Sequence, residues 1–258
     1  MPLLIARQLV KSYSGRRVVD EFTLSVEAGE IVGLLGRNGA GKTTTFRMVI
    51  GMITPEAGRV VFLDRDVTTD PMYKHALAGM GYLSQEPSVF QRMTVEQNLL
   101  AILETQQLTR VTRRRRAQEL LAQFSLEHIA KQRADTCSGG ERRRLEIARA
   151  LITRPKLMLL DEPFAAVDPH TVEDLQQEVR SLARDGIAML VTDHNVQQTL
   201  RICDRAYIIH EGKNLREGTP REIINDDLVR KTYLASTFKG DEFDEQHPPP
   251  QVTRSTAP

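Results

Sequence analysis

The stretch Gly36-Arg37-Asn38-Gly39-Ala40-Gly41-Lys42-Thr43 decides how this chain folds. It fits the P-loop pattern G-x-x-x-x-G-K-[ST] at every fixed position. An apolar run, Ile31-Val32-Gly33-Leu34-Leu35, precedes it, and a helical one, Thr44 to Ile50, follows. Strand, loop and helix in that order are the context the motif needs. Glycines let the backbone come close to an anion, and successive N–H groups then point at phosphate oxygens. The N-terminus of the following helix adds positive partial charge. Lys42 can reach the β- and γ-phosphates of a nucleotide, and the Thr43 hydroxyl can ligate Mg²⁺. The bland alternative, a glycine-rich turn before a helix, leaves the complete motif and its correct flanks unexplained. Gly36, Asn38, Gly39, Ala40, Gly41, Lys42, Thr43 and Thr44 are the candidate phosphate-binding set.

Bulk properties bound the rest. A chain of 258 residues makes one large domain or two small ones. Apolar content of 40% and charged content of 27% are ordinary for a soluble globular protein. A net charge of +1 gives no electrostatic footprint for nucleic acid. Cys137 and Cys203 have no metal spacing, which points to a reduced compartment and no disulfide framework. No apolar run approaches a membrane span, and the start is too short and poorly flanked for a signal peptide. A cytoplasmic location is expected, with any membrane role arriving through a partner.

Leu3 to Val10 and Arg17 to Val26 alternate like strands, with Tyr13-Ser14-Gly15 as the turn. Further strands are expected at Arg59 to Leu63, Met80 to Ser84, Leu157 to Leu160, Ala188 to Thr192 and Ala206 to His210. From about Thr94 to Ala150 helical patterns dominate, as if a helical unit were inserted. There Leu99, Ile102 and Leu103 share a face, as do Leu120, Leu121 and Phe124. Helices are expected at Thr171 to Ala183, Arg221 to Ile224 and Asp227 to Leu234. Strands alternating with helices imply a parallel sheet covered on both faces. Residues 239–258 carry Asp241, Glu242, Asp244, Glu245 and the run Pro248-Pro249-Pro250 with almost no apolar residues, a composition of disorder. Arg113 to Arg116 lack interleaved aromatics and read as a solvated helix face rather than a site for an anionic partner.

A second nucleotide motif is Leu157-Met158-Leu159-Leu160-Asp161-Glu162-Pro163, an apolar strand ending in two carboxylates. Nucleotide hydrolysis needs a carboxylate near Mg²⁺ and another group to orient water. Ligands in open α/β sheets bind at the carboxyl ends of strands, which suits Asp161 for Mg²⁺ and Glu162 for the attacking water. Alone, the pair reads equally as solvated acids at a strand end. A third segment, Cys137-Ser138-Gly139-Gly140-Glu141, begins a helix running to about Thr153. Ser138 and Glu141 have capping-box spacing. A cap needs no glycines, however, whereas a backbone that approaches a phosphate does.

These motifs together resemble the ATP-binding cassette (ABC) ATPase family over about residues 1–235. The resemblance implies an α/β fold: a P-loop NTPase (RecA-like) parallel-sheet core with an antiparallel β subdomain and an inserted α-helical subdomain. The cassette would span residues 1–238, the insertion about 86–153. The resemblance also implies that Ser138, Gly139 and Gly140 cap the γ-phosphate held by a second subunit's P-loop. Two ATP would then lie in a head-to-tail homodimer. In family order, Tyr13 matches the adenine-stacking aromatic and Gln85 the glutamine that touches Mg²⁺ and water. Asp168 lies in the loop crossing the dimer interface, Ala165-Ala166-Val167-Asp168, and His194 matches the histidine at the γ-phosphate. Taken singly, Tyr13 is a turn aromatic, Gln85 a surface amide and His194 a histidine at a strand end. Cys137 departs from the family's usual leucine, which puts fine tuning of the dimer in doubt.

One P-loop, one signature and no span resemble a separate transporter ATPase subunit. Thr192-Asp193-His194-Asn195-Val196 resembles both branched-chain amino-acid importers and lipopolysaccharide exporters. Ser138 to Arg144, Pro163 to Pro169 and the ending Gly218 to Leu234 are similar to the exporter. That resemblance implies two transmembrane permease subunits docking near Gln85 to Arg92, where Val89 and Phe90 look exposed. Loop packing is the alternative reading of that segment. A soluble ABC ATPase acting on nucleic acid or ribosomes is the reading of another class. It would need paired cassettes, a long coiled coil or a basic surface.

Overall fold

The computed structural model describes residues 1–165 and 167–234. Ala166 and the acidic, proline-rich stretch 239–258 lie outside the described residues. So do residues 235–238 at the end of the expected cassette.

Alternating burial pairs Leu4–Tyr13 (β1) with Arg16–Val26 (β2) as an antiparallel hairpin closed by Ser14 and Gly15. Both turn residues have positive φ, 48° and 78°. The other edge of β1 pairs with Ala57–Phe62 (β4), which carries the two-residue Arg65–Asp66 (β5), giving the order β2-β1-β4-β5. Leu9, Phe22, Leu24, Val60 and Phe62 of this sheet are buried in one core with Phe46.

The second sheet is built on Ile31–Leu35 (β3), whose five residues are all buried, as a central parallel strand requires. Its order is β10-β9-β3-β8-β7-β6, from Lys213–Gly218 (β10) and Arg205–His210 (β9) to Ala188–Thr192 (β8), Leu157–Asp161 (β7) and Met80–Leu83 (β6). All neighbours run parallel except β10 against β9. Lys42–Val49 (α1) follows the P-loop. The carboxyl ends of β3, β6, β7 and β8 therefore share one edge, where Gly36, Gln85, Asp161, Glu162 and His194 are delivered.

Helices of the insertion are Val95–Leu103 (α3), Arg110–Gln123 (α4) and Gly139–Ala150 (α5). Leu99, Leu103, Leu120, Leu121, Phe124, Leu145 and Ala148 are buried together, as the helical periodicity predicts. The core continues into Pro169–Arg184 (α6) through Val172, Leu175 and Val179. After β8 comes Val196–Ile202 (α7), then Pro220–Asn225 (α8), the single turn Asp227–Val229 (α9) and a π-type turn, Arg230–Leu234. Met72–Ala78 (α2) precedes β6. Among the described residues, no helix is long and apolar enough to cross a membrane.

Elements absent from the sequence reading are α2, β5, α7 and β10. In α2 the pattern is inverted: His75 is buried while Leu77 and Tyr73 are exposed. Strand β10 is a polar edge strand with only one neighbour. In the coupling segment, Val89 looks exposed from sequence but is buried in the insertion core. Asn98 pulls the loop inward: its Oδ1 accepts from Phe90 N at 2.8 Å and its Nδ2 donates to Phe90 O at 3.0 Å.

Gly140 has a packing reason independent of any phosphate. A Cβ there would lie 2.3 Å from Thr171 Cγ2, so α5 meets α6 without room for a methyl group. Gly140→Ala is expected to destabilise the fold by about 1–3 kcal/mol through overpacking. Thr171→Ser removes the opposing methyl, so in urea titrations the double variant should recover a substantial part of the loss. Strictly additive losses would place the cost elsewhere.

Candidate active site

The β3–α1 turn is shaped by two glycines. A Cβ on Gly36 would fall 2.3 Å from Ile209 O, and Gly41 has φ 111° with Val18 O in the way of any side chain. The turn therefore packs directly on β9 and on the β1–β2 hairpin. It opens on a cleft of ≈ 290 Å³ lined by Asn38, Gly39, Gly41, Lys42, Thr43 and Thr44. Gln85, Asp161, Glu162 and His194 complete the wall, with Val18 and Thr192. Gly36 and Ala40 belong to the loop but not to the lining. Ala40 is buried in the core and its N–H bonds Arg37 O at 3.0 Å.

Lys42 is buried, and its Nζ donates to Gly36 O at 2.6 Å and Arg37 O at 3.2 Å. Burial pushes its ammonium down, against the opposing pull of Glu162, Asp161 and Asp193. Burial likewise raises Asp161, whose Oδ2 accepts from the Tyr82 hydroxyl at 3.4 Å. Tyr82 itself is pushed up to about 12, by burial first and then by Asp161. Glu162 is raised by burial, against the opposing pull of His194, whose Nε2 lies 2.5 Å from Glu162 Oε1. At φ 50°, Glu162 occupies the left-handed region, so the chain turns sharply as it leaves β7. Thr192 Oγ1 is buried without a protein partner at the same cleft.

This donor set fits a nucleotide with a hard cation. Backbone N–H groups of a glycine-rich turn, a lysine and a helix N-terminus suit phosphate. Thr43 hydroxyl, Gln85 amide oxygen and Asp161 carboxylate are the oxygen ligands Mg²⁺ takes. Glu162 and His194, 2.5 Å apart, have the geometry of a base and the group that orients it.

The remaining expected residues lie elsewhere. Tyr13 stands about half exposed at the hairpin tip, with Lys11 Nζ 6.0 Å from its ring centroid, and does not line the cleft. Ser138 caps α5: its Oγ accepts from Glu141 N at 3.2 Å, and Ser138 N donates to Glu141 Oε2 at 2.7 Å. Asp168 caps α6 by accepting from Thr171 N at 3.0 Å and Thr171 Oγ1 at 2.5 Å. Those bonds hold its carboxyl below the usual range. Thr171 thus joins Asp168 to Gly140, and this face, with Ser138 and Gly139, is separate from the cleft lining. Cys137 is buried, its thiol pushed up by burial, and serves as a small apolar residue.

Three residues escape the sequence reading. Arg143 is buried on α5 and donates to Pro163 O at 2.9 Å, Glu162 O at 2.9 Å, Asp161 O at 3.2 Å and Ser84 O at 3.0 Å. It also pairs with buried Glu146 at 2.9 Å. Among Arg142, Arg143 and Arg144 nothing in the sequence marks it out. Tyr82 sits two residues before Ser84 and is legible only as a strand residue. Tyr233, in the last turn, accepts a hydrogen bond from Gly36 N–H and is pushed up to about 12 by burial.

Residues 19–165 match the family model described as "ABC transporter". The lipopolysaccharide export system ATP-binding protein LptB of Acidithiobacillus ferridurans is 50% identical, covering 92% of this chain and 98% of its own. LptB of Escherichia coli (strain K12) is 48% identical over 93% of this chain and its whole length. A solved dimeric ATP-binding cassette in a post-hydrolysis state, bound to ADP and phosphate, superposes with TM-score 0.74 at 25% identity. That alignment covers 84% of this chain and 98% of the other.

Two outcomes follow from the geometry. Arg143→Met is expected to cost about 3–5 kcal/mol, because Glu146 is left buried without its partner. Arg143→Met with Glu146→Met should recover only part of this, the remaining loss reporting the orphaned carbonyls of the β7 end and the Ser88 N–H that donates to Glu146 Oε1 at 2.8 Å. Full recovery would mean that the carbonyl bonds contribute nothing. The second concerns pH. The native state holds the Glu162 proton more tightly than the unfolded chain, so its contribution is full below the unfolded value of about 4.3. That contribution is lost as pH rises through the native pKa. Relative to the parent chain, Glu162→Gln should therefore be most favoured at neutral pH and lose that advantage as pH falls toward about 4. Urea titrations across pH that showed the advantage growing with acidity would refute the assignment.

Proposed function

The chain belongs to the ABC transporter ATPase family, and from that premise we propose that it is the ATP-hydrolysing subunit of a lipopolysaccharide export system. The observation that carries the cargo is identity of 48–50% to LptB proteins along nearly their whole length. The branched-chain amino-acid reading has no comparable support. As an ABC ATPase the chain binds and hydrolyses ATP.

In this reading Lys42 and the N–H groups of Gly39 and of Gly41 to Thr44 bind the β- and γ-phosphates. Gly36 and Ala40 act by shaping the loop. Tyr13 stacks on adenine at the hairpin tip. Thr43, Gln85 and Asp161 hold Mg²⁺, which when bound supplies neutralisation of charge on the transferring phosphoryl group. Glu162 accepts the proton of the attacking water at a carboxylate oxygen, and His194 orients Glu162 and contacts the γ-phosphate. Placing these groups beforehand is most of the catalysis in phosphoryl transfer.

The face carrying Ser138, Gly139, Gly140 and Asp168 is the half-site offered to a second copy. The cleft of one subunit would be closed by this face of the other, giving a head-to-tail homodimer around two ATP. The dimeric solved relative supports that assembly. Two inner-membrane permeases would dock at Gln85 to Arg92, with the ATPase peripheral on the cytoplasmic face and touching the membrane only through them. Phe90 supports this docking: it is 43% exposed and held by the Arg149 guanidinium 4.5 Å from its ring centroid. An aromatic fixed at a loop tip is an anchor of the kind a helix-in-groove contact uses. The reading involves no direct nucleic-acid contact.

The deciding experiment is affinity purification of Glu162→Gln from gently solubilised membranes with ATP, followed by mass spectrometry of proteins and lipids. Removing a general base should slow turnover by about 10²–10⁴-fold while ATP still binds, so closed dimers accumulate. Two permeases with lipopolysaccharide are expected to copurify, and adding Phe90→Ala should release both without unfolding the ATPase. Recovery of amino-acid permeases would sink the cargo assignment, and turnover at the parent rate would remove Glu162 from its role.

A further inference from the structure

At the edge of the parallel sheet opposite the P-loop lies a groove of ≈ 880 Å³ that the proposed reaction does not use. It runs between the C-terminal ends of α6 and α7 and the N-terminus of α8. Four arginines line it: Arg180 and Arg184 from α6, Arg201 from α7 and Arg221 from α8. All four are exposed. The floor is apolar and buried, with Ile31, Ile202 and Cys203 each 3% exposed.

Three of these four charges meet no carboxylate among the described residues. Arg180 donates to the Arg201 carbonyl, and no carboxylate of the described residues pairs with Arg180, Arg184 or Arg201. Asp204 also lines the groove, but its Oδ2 accepts from Ile31 N at 2.8 Å. Arginines gathered around an apolar floor match an occupant that carries several carboxylates around an apolar side chain.

The chain carries such a segment, Asp241-Glu242-Phe243-Asp244-Glu245, beyond the described residues. The described chain ends at Leu234, buried with Ile223 and Ile224 of α8, and the first residues of α8, Pro220 and Arg221, line the groove. A helix the length of α8 covers about 9 Å. The connection from Leu234 to Asp241 spans up to about 23 Å when extended, so it is long enough. We propose that this groove is the docking site for residues 241–245 of the same chain, with Phe243 against the apolar floor and the carboxylates against the arginines. Docked, the segment ties the end of α6 to the end of α7. Those helices begin, respectively, at the Asp168 cap and just after His194, so the C-terminus gains a hold on both half-sites.

The test uses the full-length chain carrying Gln177→Cys, at the exposed groove wall, and Gln246→Cys, just past the acidic run. Mild oxidation should join the two within one chain, as read by mass spectrometry under dilute conditions. Converting the four acids to amides should lower that yield at least about fivefold, and so should raising salt from about 0.05 M to 1 M, because the attraction is between exposed charges. A yield no higher than that of the amide variant overturns the proposal. So does a disulfide that joins two chains, which would make a second copy the occupant. Without any introduced cysteine, the acid-to-amide change should also speed hydrogen exchange at the C-terminal turns of α6 and α7, and unchanged exchange there overturns it equally.

Discussion

The Arg143 guanidinium is the interaction on which the site depends. Strand β7 ends at Asp161, and the chain must then turn away from the sheet with Glu162 at φ 50°. Around that turn the successive carbonyls of Asp161, Glu162 and Pro163 belong to buried residues and need donors there. An unpaired buried carbonyl costs about 1–3 kcal/mol. A planar fork with five donors can serve Asp161, Glu162 and Pro163 together and still reach Ser84 beside Gln85. Lysine has neither the reach nor the geometry. Because Arg143 stands on α5, the signature turn, the carboxylate pair and the glutamine loop form one rigid body. The ion pair with Glu146 keeps the fork's charge tolerable in the interior and adds little stability of its own.

In the proposed reading a single chain therefore holds two incomplete sites, joined through α5. The cleft has a cradle, an oxygen set and a candidate base, but one side stays open to solvent through His194, whose side chain is 55% exposed. The other face has helix N-termini at α5 and α6, both capped by their own side chains, and no cradle. Within one subunit the two are separate: Gly140 packs against Thr171 of α6, and neither residue lines the cleft. In the proposed reading, head-to-tail pairing would close both with one contact, and α5 would give closure a route to Phe90. Arg149, which holds Phe90, comes from that same helix α5.

Legibility in the sequence follows the range of the physics involved. The P-loop, the strand Leu157–Asp161 and the buried faces of α3, α4 and α5 are written in local spacing, and the structure agrees with them. Strand β10 and helix α7 were not legible. One is a polar edge strand defined by its neighbour, and the other has seven residues, too short for Val196, Leu200 and Ile202 to establish a periodicity. Val89 and Phe90 read alike as adjacent apolar residues in a loop. Their opposite burial is set by Asn98, eight residues away, whose amide no local pattern connects to them. Gly140 illustrates a subtler gap. The glycine pair reads as room for a phosphate, yet Thr171, 31 residues on, already requires glycine at 140 for packing. A motif position can be demanded twice, and sequence alone reveals only the demand whose partner is known in advance.

Glu162 is where local preference and the proposed role disagree most sharply. A left-handed conformation costs a non-glycine residue roughly 1–2 kcal/mol, and burial adds a further penalty on its charge. Glycine would remove both, and an extended conformation would remove the first. Neither keeps a carboxylate 2.5 Å from His194 at the mouth of the cleft. Continuing the strand would instead send the side chain at 162 to the face of the sheet opposite Asp161's, because side chains alternate along a strand. The sharp turn lets two consecutive carboxylates, Asp161 and Glu162, both line the same cleft. Backbone strain of this kind persists only where the surroundings over-determine it, and here Arg143 and the bond from Glu162 N to Thr192 O at 2.8 Å do so from either side. The violated local rule and the buried arginine are thus two halves of one device, which sets two acids beside one phosphate cradle.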